Sequence, residues 1–242
     1  MALPSSTTGF LAMSDTTRPK VRPRDAASIV LIRGSADNPE VLMGRRRKRA
    51  SFLPNIYVFP GGRVDRLDRA VPPGISLPAG LGKRLTKRTT QAHAVSLAIA
   101  ALRETFEETG YLLVDPSKAS HLETAPQSPF WQALRQAGGA PDLTRLDYIA
   151  RALTPTLSHK RFNTRFFMAD ANGAHGELLT GGELEDLHWL PFDEARRLPI
   201  VDVTEFVLNQ AKRRWSTGRR APDSSTIPFL HYVGTTQRID HE

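Results

Sequence analysis

Three glutamates spaced i, i+3 and i+4 constrain this chain more than any other feature. Glu104, Glu107 and Glu108 stand in the run Arg103-Glu104-Thr105-Phe106-Glu107-Glu108-Thr109-Gly110. The pattern over residues 91–109 is helical. Thr89 or Thr90 can cap its start, and Gly110 stands where a left-handed glycine ends a helix. At about 100° per residue the three carboxylates share one face. Val95, Ala98, Leu102 and Phe106 fall on the opposite face and are expected in a core. Like charges at i,i+4 cost a few tenths of a kcal/mol, and a divalent cation removes that cost. An all-oxygen ligand set suits Mg²⁺ or Mn²⁺. Arg103 precedes Glu107 by four residues and can pair with it and orient it. A solvated acidic helix end is the ordinary meaning of E-x-x-E-E. The added Arg and Gly make the whole pattern a chance event in roughly one chain of this length in several thousand.

The rest of the chain reads as alternating strands and helices. Residues 26–33 and 40–43 are aliphatic, β-branched runs joined by Asp37-Asn38-Pro39, which predicts a hairpin. Residues 56–59 form a short strand that runs into Pro60-Gly61-Gly62, a turn whose backbone groups can serve a metal or a phosphate. A helix is expected over residues 128–137, and strands over 147–153, 162–169 and 187–190. A short helix over 193–197 follows, then an amphipathic one over 203–215 with Val203, Phe206, Val207 and Gln210 on one side. Residues 1–24 are rich in Ser, Thr and Pro and read as a flexible tail ahead of one domain over 25–242. Residues 66–90 mix prolines, glycines and bases without a period and read as an irregular insertion.

The glycine turn and the acidic helix together resemble the signature of the Nudix hydrolases, G-x5-E-x7-R-E-U-x-E-E-x-G-U, with U a bulky aliphatic residue. The resemblance implies an α/β fold, a Nudix α/β/α sandwich with a mixed sheet. It also implies divalent-metal-dependent hydrolysis of a diphosphate linked to another moiety. By that match Glu104, Glu107 and Glu108 are metal ligands and Gly61 offers its carbonyl. Glu107, Glu108 and Arg103 then serve catalysis, and Gly62 lies at the substrate. Five residues past Gly62 the chain has Asp68 where the pattern has Glu. Between Asp68 and Arg103 stand 34 residues instead of seven, an insertion of 27 inside the box. The U positions carry Thr105 and Tyr111. Three further blocks are similar to the Nudix branch that cleaves coenzyme A and acyl-coenzyme A. They are Arg49-Ala50-Ser51-Phe52-Leu53-Pro54-Asn55, Leu153-Thr154-Pro155 and Arg161-Phe162-Asn163-Thr164-Arg165-Phe166-Phe167.

A diphosphatase needs a general base and cations for its substrate. Glu183 and Glu185 are the candidate bases outside the box, and the residues do not choose between them. Arg45, Arg47 and Arg49, from a run of five bases, and the pair Arg161 and Arg165 are candidate phosphate contacts. Solvated loop bases and packing against surface acids are the bland readings of those two groups. The chain carries 33 Lys and Arg against 25 Asp and Glu, a charge of +8 that favours an anionic partner. The expected partner is a small nucleoside diphosphate derivative. Coenzyme A or acyl-coenzyme A, cleaved to 3′,5′-ADP and (acyl-)4′-phosphopantetheine, leads. ADP-ribose, a dinucleotide or an RNA 5′ end is the alternative, and a non-catalytic nucleotide-binding module is the alternative of another class. Zero cysteines exclude disulfides, thiol nucleophiles and thiolate metal sites. The longest apolar run, residues 94–102, is too short for a bilayer, so no membrane role, a cytoplasmic location and, in solution, a homodimer are the remaining expectations.

Overall fold

The structure, a computed structural model, describes residues 21–179, 181–218 and 226–242. Of the tail expected over residues 1–24, residues 1–20 lie outside the described residues. Arg24 already opens the first strand, β1 (Arg24–Gly34). This strand is buried without alternation from Ala26 to Ile32, a pattern that requires cover on both faces. Ala27, Ile29 and Leu31 point into one apolar core, and Val30 and Ile32 into another. β2 (Pro39–Arg46) divides the same way, with Leu42 in the first core and Val41 and Met43 in the second.

The remaining elements follow as β3 (Tyr57–Val58), β4 (Gly61–Arg63), α1 (Ala79–Leu85), α2 (Gln91–Thr109), β5 (Val114–Asp115), α3 (Pro129–Gln136), β6 (Ala140–Pro141), β7 (Leu146–Leu153), β8 (Phe162–Asp170), β9 (Leu184–Pro191), α4 (Phe192–Ala195), α5 (Asp202–Ser216), β10 (Pro228–Val233) and β11 (Thr236–His241). The main sheet runs β11-β10-β7-β8-β1-β2-β3, with β4 on β1 and β9 on β2. The β1–β8 and β7–β10 pairs are parallel and the others antiparallel. Helices α1, α2 and α3 cover the first core, and α4 and α5 the second. The result is the expected α/β/α sandwich on a mixed sheet. No helix among the described residues is long and apolar enough to cross a membrane.

Helix α2 starts at Thr90, whose hydroxyl accepts the His93 N–H at 3.3 Å, and stops at Gly110 with φ of 81°. Its residues 94–102 are all buried, because the helix is covered on its outer side as well. The cover comes partly from residues 66–90, which are not irregular throughout. They contain α1, and Ile75, Leu77, Leu81 and Leu85 join the first core. Gly80 and Gly82 within α1 and Pro78 just before it mask the helix in the sequence. On α5 the buried residues are Thr204, Phe206, Val207, Leu208, Ala211 and Trp215, so Phe206 and Val207 face the core as expected while Val203 and Gln210 lie at its borders. The β10–β11 hairpin has no counterpart in the sequence expectations, since β11 is polar and exposed along its whole length.

Candidate active site

Arg103 is the hub of the site. Its side chain is 8% exposed, and its donors are all engaged. Nε and Nη2 grip Asp68 at 2.7 and 2.9 Å. Nη1 reaches Glu104 Oε1 at 2.9 Å and Glu107 Oε2 at 2.8 Å. Nη2 also donates to the Arg63 carbonyl at 3.0 Å. A guanidinium has five N–H donors in a fixed fork, and here each has an acceptor. Burial alone would lower the Arg103 pKa. The hydrogen bonds to Asp68 and the charges of Glu104, Asp68 and Glu107 override it and raise it. Asp68, 1% exposed, completes its own shell with the Asp65 N–H at 2.7 Å. The insertion therefore leaves and rejoins the chain at one buried ion pair, Asp68 with Arg103.

The three glutamates differ in burial along one helix face: Glu107 is exposed, Glu104 half-buried and Glu108 buried. Glu108 Oε2 accepts the Gly61 N–H at 2.8 Å. The β1–β4 ladder explains why that donor is free. Ile29 N–H bonds to Pro60 O and Val64 N–H to Asp25 O, so by strand alternation the Gly61 N–H and C=O both point off the ladder. A Cβ at Gly61 would sit 2.6 Å from the Ala27 carbonyl oxygen, and one at Gly62 would sit 2.3 Å from Glu104 Oε1. Glycine at Gly61 is thus a packing requirement, and a side chain at Gly62 would displace the Glu104 carboxylate from its place in the site. Burial pushes the Glu108 carboxyl up to about 8; the Gly61 N–H opposes this, Glu104 and Glu183 add to it, and Arg46 opposes it. Burial likewise raises Glu104 to about 7, against Arg103 and with Glu107 and Asp68.

The donor chemistry fits a divalent cation. Each glutamate has one oxygen engaged, and the second has no partner among the described residues and is not sealed from solvent. These oxygens and the Gly61 carbonyl are hard ligands of the kind Mg²⁺ and Mn²⁺ take. As the side chains stand, no three His, Asp or Glu groups among the described residues converge on a metal position. Arg103 stands between Glu104 and Glu107 instead, so loading would require the exposed Glu107 to turn.

The basic run meets the two other candidate acids across β2 and β9. Arg45 lies opposite Glu185, and a bulge separates that register from Met43 opposite His188. Arg45 and Arg47 approach Glu185 at 3.6 and 3.7 Å, and Arg46 approaches Glu183 at 3.9 Å. Residue alternation splits the run. Arg46 shares the face of Leu42 toward α2, while Arg45 shares that of Met43. The chain just before β9 passes over the C-terminal end of α2: Leu179 N–H bonds to Thr109 O at 3.0 Å, and a Cβ at Gly182 would lie 3.6 Å from Glu108 O. Glu183 is thereby the acid whose charge reaches Glu108, and Glu185 stays with Arg45 and Arg47. Arg46, Arg47, Arg49, Ala50 and Glu183 line a cavity of about 150 Å³.

Residues 22–208 match the NUDIX domain family. The chain belongs to the Nudix family. A solved NUDIX hydrolase from Alicyclobacillus acidocaldarius is 30% identical, with a TM-score of 0.59 over 87% of this chain and 100% of that one. An acyl-coenzyme A diphosphatase NUDT19 from Xenopus laevis is 28% identical over 71% of this chain and 64% of its own length. The Homo sapiens protein of that name is 28% identical over 64% of this chain and 58% of its own. The chain thus spans less than two-thirds of the length of these curated relatives.

On the Nudix pattern, two departures have structural accounts. Thr105 is 1% exposed, and its hydroxyl bonds back to Ala101 O at 2.7 Å, so it fills an apolar position without an orphaned donor. Tyr111 is half-buried beside Trp189, ring centres 6.0 Å apart. The Arg161 and Arg165 pair does not join the site. Arg165 is 4% exposed and donates to Asp25 Oδ1 at 2.7 Å; Arg161 donates to the Thr154 and Val21 carbonyls at 3.2 and 3.0 Å. Asp25 also meets His93 in the first turn of α2, about 16 Å along the helix from Glu104. Arg165 packs with an acid, and Arg161 is held by two backbone carbonyls. Arg46, which lies in the basic run but is not among the three arginines singled out from it, is the residue the structure adds. The alternation of β2 carries the signal, because Leu42 and Arg46 lie four apart on the face toward α2.

Proposed function

We propose that this Nudix chain is a divalent-metal-dependent pyrophosphohydrolase that cleaves coenzyme A or acyl-coenzyme A to 3′,5′-ADP and (acyl-)4′-phosphopantetheine. The observation that carries the reading is the Arg103 hub, which holds Glu104 and Glu107 beside Glu108 and the Gly61 turn. The substrate part leans on the acyl-coenzyme A diphosphatase relatives at 27–28% identity. Glu104, Glu107, Glu108 and the Gly61 carbonyl would hold Mg²⁺ or Mn²⁺. That ion would neutralise the diphosphate oxygens and make a water more acidic. The chain's own residues do the rest. Gly61 N–H fixes Glu108, Arg103 fixes Glu104 and Asp68 fixes Arg103. Glu183, the acid near Glu108, is the general base that takes the proton of the attacking water. The water oxygen bonds to one phosphorus, and the bridging oxygen leaves with the other phosphate. Arg46, Arg47 and Arg49 line a cavity with room for a phosphate group, and guanidinium donors suit such a group.

The test is a product assay. Protein with Mg²⁺ and then Mn²⁺ is offered coenzyme A, acetyl-coenzyme A, ADP-ribose, NADH and a 5′-triphosphorylated RNA, with products resolved by mass. Metal-dependent 3′,5′-ADP from the coenzyme A compounds is the expected result. Cleavage of only another member would overturn the substrate and keep the reaction, and recovery of every substrate intact would overturn both.

A further inference from the structure

The outer edge of β11 is built to pair with itself. Ile227 and Glu242 exchange two backbone hydrogen bonds at 2.9 Å, and β10–β11 pairing runs from there to Val233 opposite Thr236. Alternation then turns the backbone N–H and C=O of Gln237, Ile239 and His241 away from β10. Among the described residues no strand takes them. All six residues of β11 are exposed, Ile239 at 49%. An open edge of this length templates another strand unless its side chains refuse the match. Here they select for one. In an antiparallel pair of two copies about a two-fold axis at Ile239, Ile239 faces its equivalent and Gln237 faces His241. Arg238 then faces Asp240 twice. Arg238 has no acid partner among the described residues, and Asp240 meets only His231, at 2.8 Å, with 62% of its side chain exposed. On the Ile239 face lies a groove of about 790 Å³ lined by Phe206, Gln210, Arg213, Pro228, Ile239 and His241. It ends at the edge that a second copy would extend.

We propose that two copies of this chain associate through β11 against β11, joining their sheets across a two-fold axis at Ile239. The interface is isologous, so each contact off the axis occurs twice. Arg238 and Asp240 stand directly opposite in it, at the closely spaced non-hydrogen-bonded position. The charges that discourage an arbitrary strand are the ones a second copy matches.

The experiment is sedimentation of the full chain across a dilution series, with Arg238→Asp and Asp240→Arg examined singly, together in one chain, and as an equal mixture of the two single variants. The native chain is expected to dimerise. Each single variant places like charges opposite each other twice and should dissociate roughly tenfold or more readily. The double variant should recover the native constant. The mixture should form a one-to-one heterodimer, because an all-acidic edge then meets an all-basic one. Ile239→Pro removes an outward N–H and leaves the β10 ladder whole, so it should give a folded monomer. A native chain that stays monomeric throughout overturns the proposal. So does a dimer indifferent to all of these changes, or a mixture that fails to pair.

Discussion

Two charged clusters flank the end of α2, and they are built in opposite ways. At Arg103 every donor has an acceptor within 3.0 Å, and both Arg103 and Asp68 are buried. Around Arg45, Arg46 and Arg47 the carboxylates stand 3.6–3.9 Å away, and Glu183 is 72% exposed. The first cluster holds a geometry. The second holds charge more loosely. Apart from an exposed hydrogen bond from Arg47 Nη2 to the Gly181 carbonyl at 2.6 Å, its contacts are long ion pairs, and exposed pairs are worth about 0–1 kcal/mol and exchange readily for a better anion. The five consecutive bases are the louder signal in the sequence, yet the lone Arg103 carries more of the architecture. Density of charge measures attraction for a ligand; burial with full satisfaction measures what positions it.

The sharpest way to break the comparison is to remove catalytic charge without removing shape. Glu107→Gln and Glu108→Gln should each lower turnover of coenzyme A by at least about 10³-fold, with circular dichroism near native. Activity surviving both would detach the acids from the reaction. Next comes stability. Asp68→Ala strands a buried guanidinium and should cost about 3 kcal/mol in denaturant unfolding. Arg47→Ala, in the slack cluster, should cost less than about 1 kcal/mol. Equal losses would mean that the two clusters are not built differently.

The sequence carried the first cluster better than the second, for a physical reason. A helix places i, i+3 and i+4 on one face whatever surrounds it, so Glu104, Glu107 and Glu108 could be grouped from spacing alone. Gly110 marked one end, and the choice between Thr89 and Thr90 at the other fell to the structure, which caps with Thr90. The sandwich was implied by the resemblance to the Nudix signature, and the unbroken burial of β1 agrees with cover on both faces. Asp68 sits where the pattern's spacing puts an acid, but only folding reveals that the 27 inserted residues loop out and bring it back to Arg103. The partition of the basic run depends on which core each face of β2 meets and on a bulge in its pairing with β9, neither of which has a local signature. Arg161 and Arg165 looked alike in sequence to substrate arginines because the chain does not announce that Asp25 will lie beside Arg165. Helix α1 was hidden by its two glycines, whose cost in propensity is repaid by Leu81 and Leu85 in the core.

Acidity gives a third handle. Burial holds Glu104 at about 7 and Glu108 at about 8, above their ordinary value of 4.5. The folded chain therefore keeps protons that the unfolded chain has released. Their contribution to stability is complete below the ordinary carboxyl range and is lost as pH rises toward 8. Metal-free protein should therefore lose stability as pH rises across that window. Mg²⁺ or Mn²⁺ binds the ionised forms, so the stabilisation each ion adds should grow with pH over the same range. Melting curves with chelator and with metal measure both trends. A slope unchanged by metal would place the ion elsewhere.

The smallest effect asks whether the slack cluster is divided by the alternation of β2. Arg46 faces α2 and moderates Glu108, whereas Arg45 faces the other core and keeps to Glu185. Removing one charged contact to a phosphate costs about 1.5 kcal/mol. Arg46→Gln should therefore raise KM for coenzyme A roughly tenfold, and the rise should shrink in high salt. Arg45→Gln should leave KM within about twofold, because its neighbour across the ladder is a carboxylate and its side chain lies on the far face. Arg46→Lys keeps the charge but not the fork and should fall between the two. Steady-state kinetics of the three variants at two ionic strengths decide the matter. If Arg45 proves as costly as Arg46, the substrate straddles the sheet edge, and the cavity at Arg46, Arg47 and Arg49 is only one part of its path.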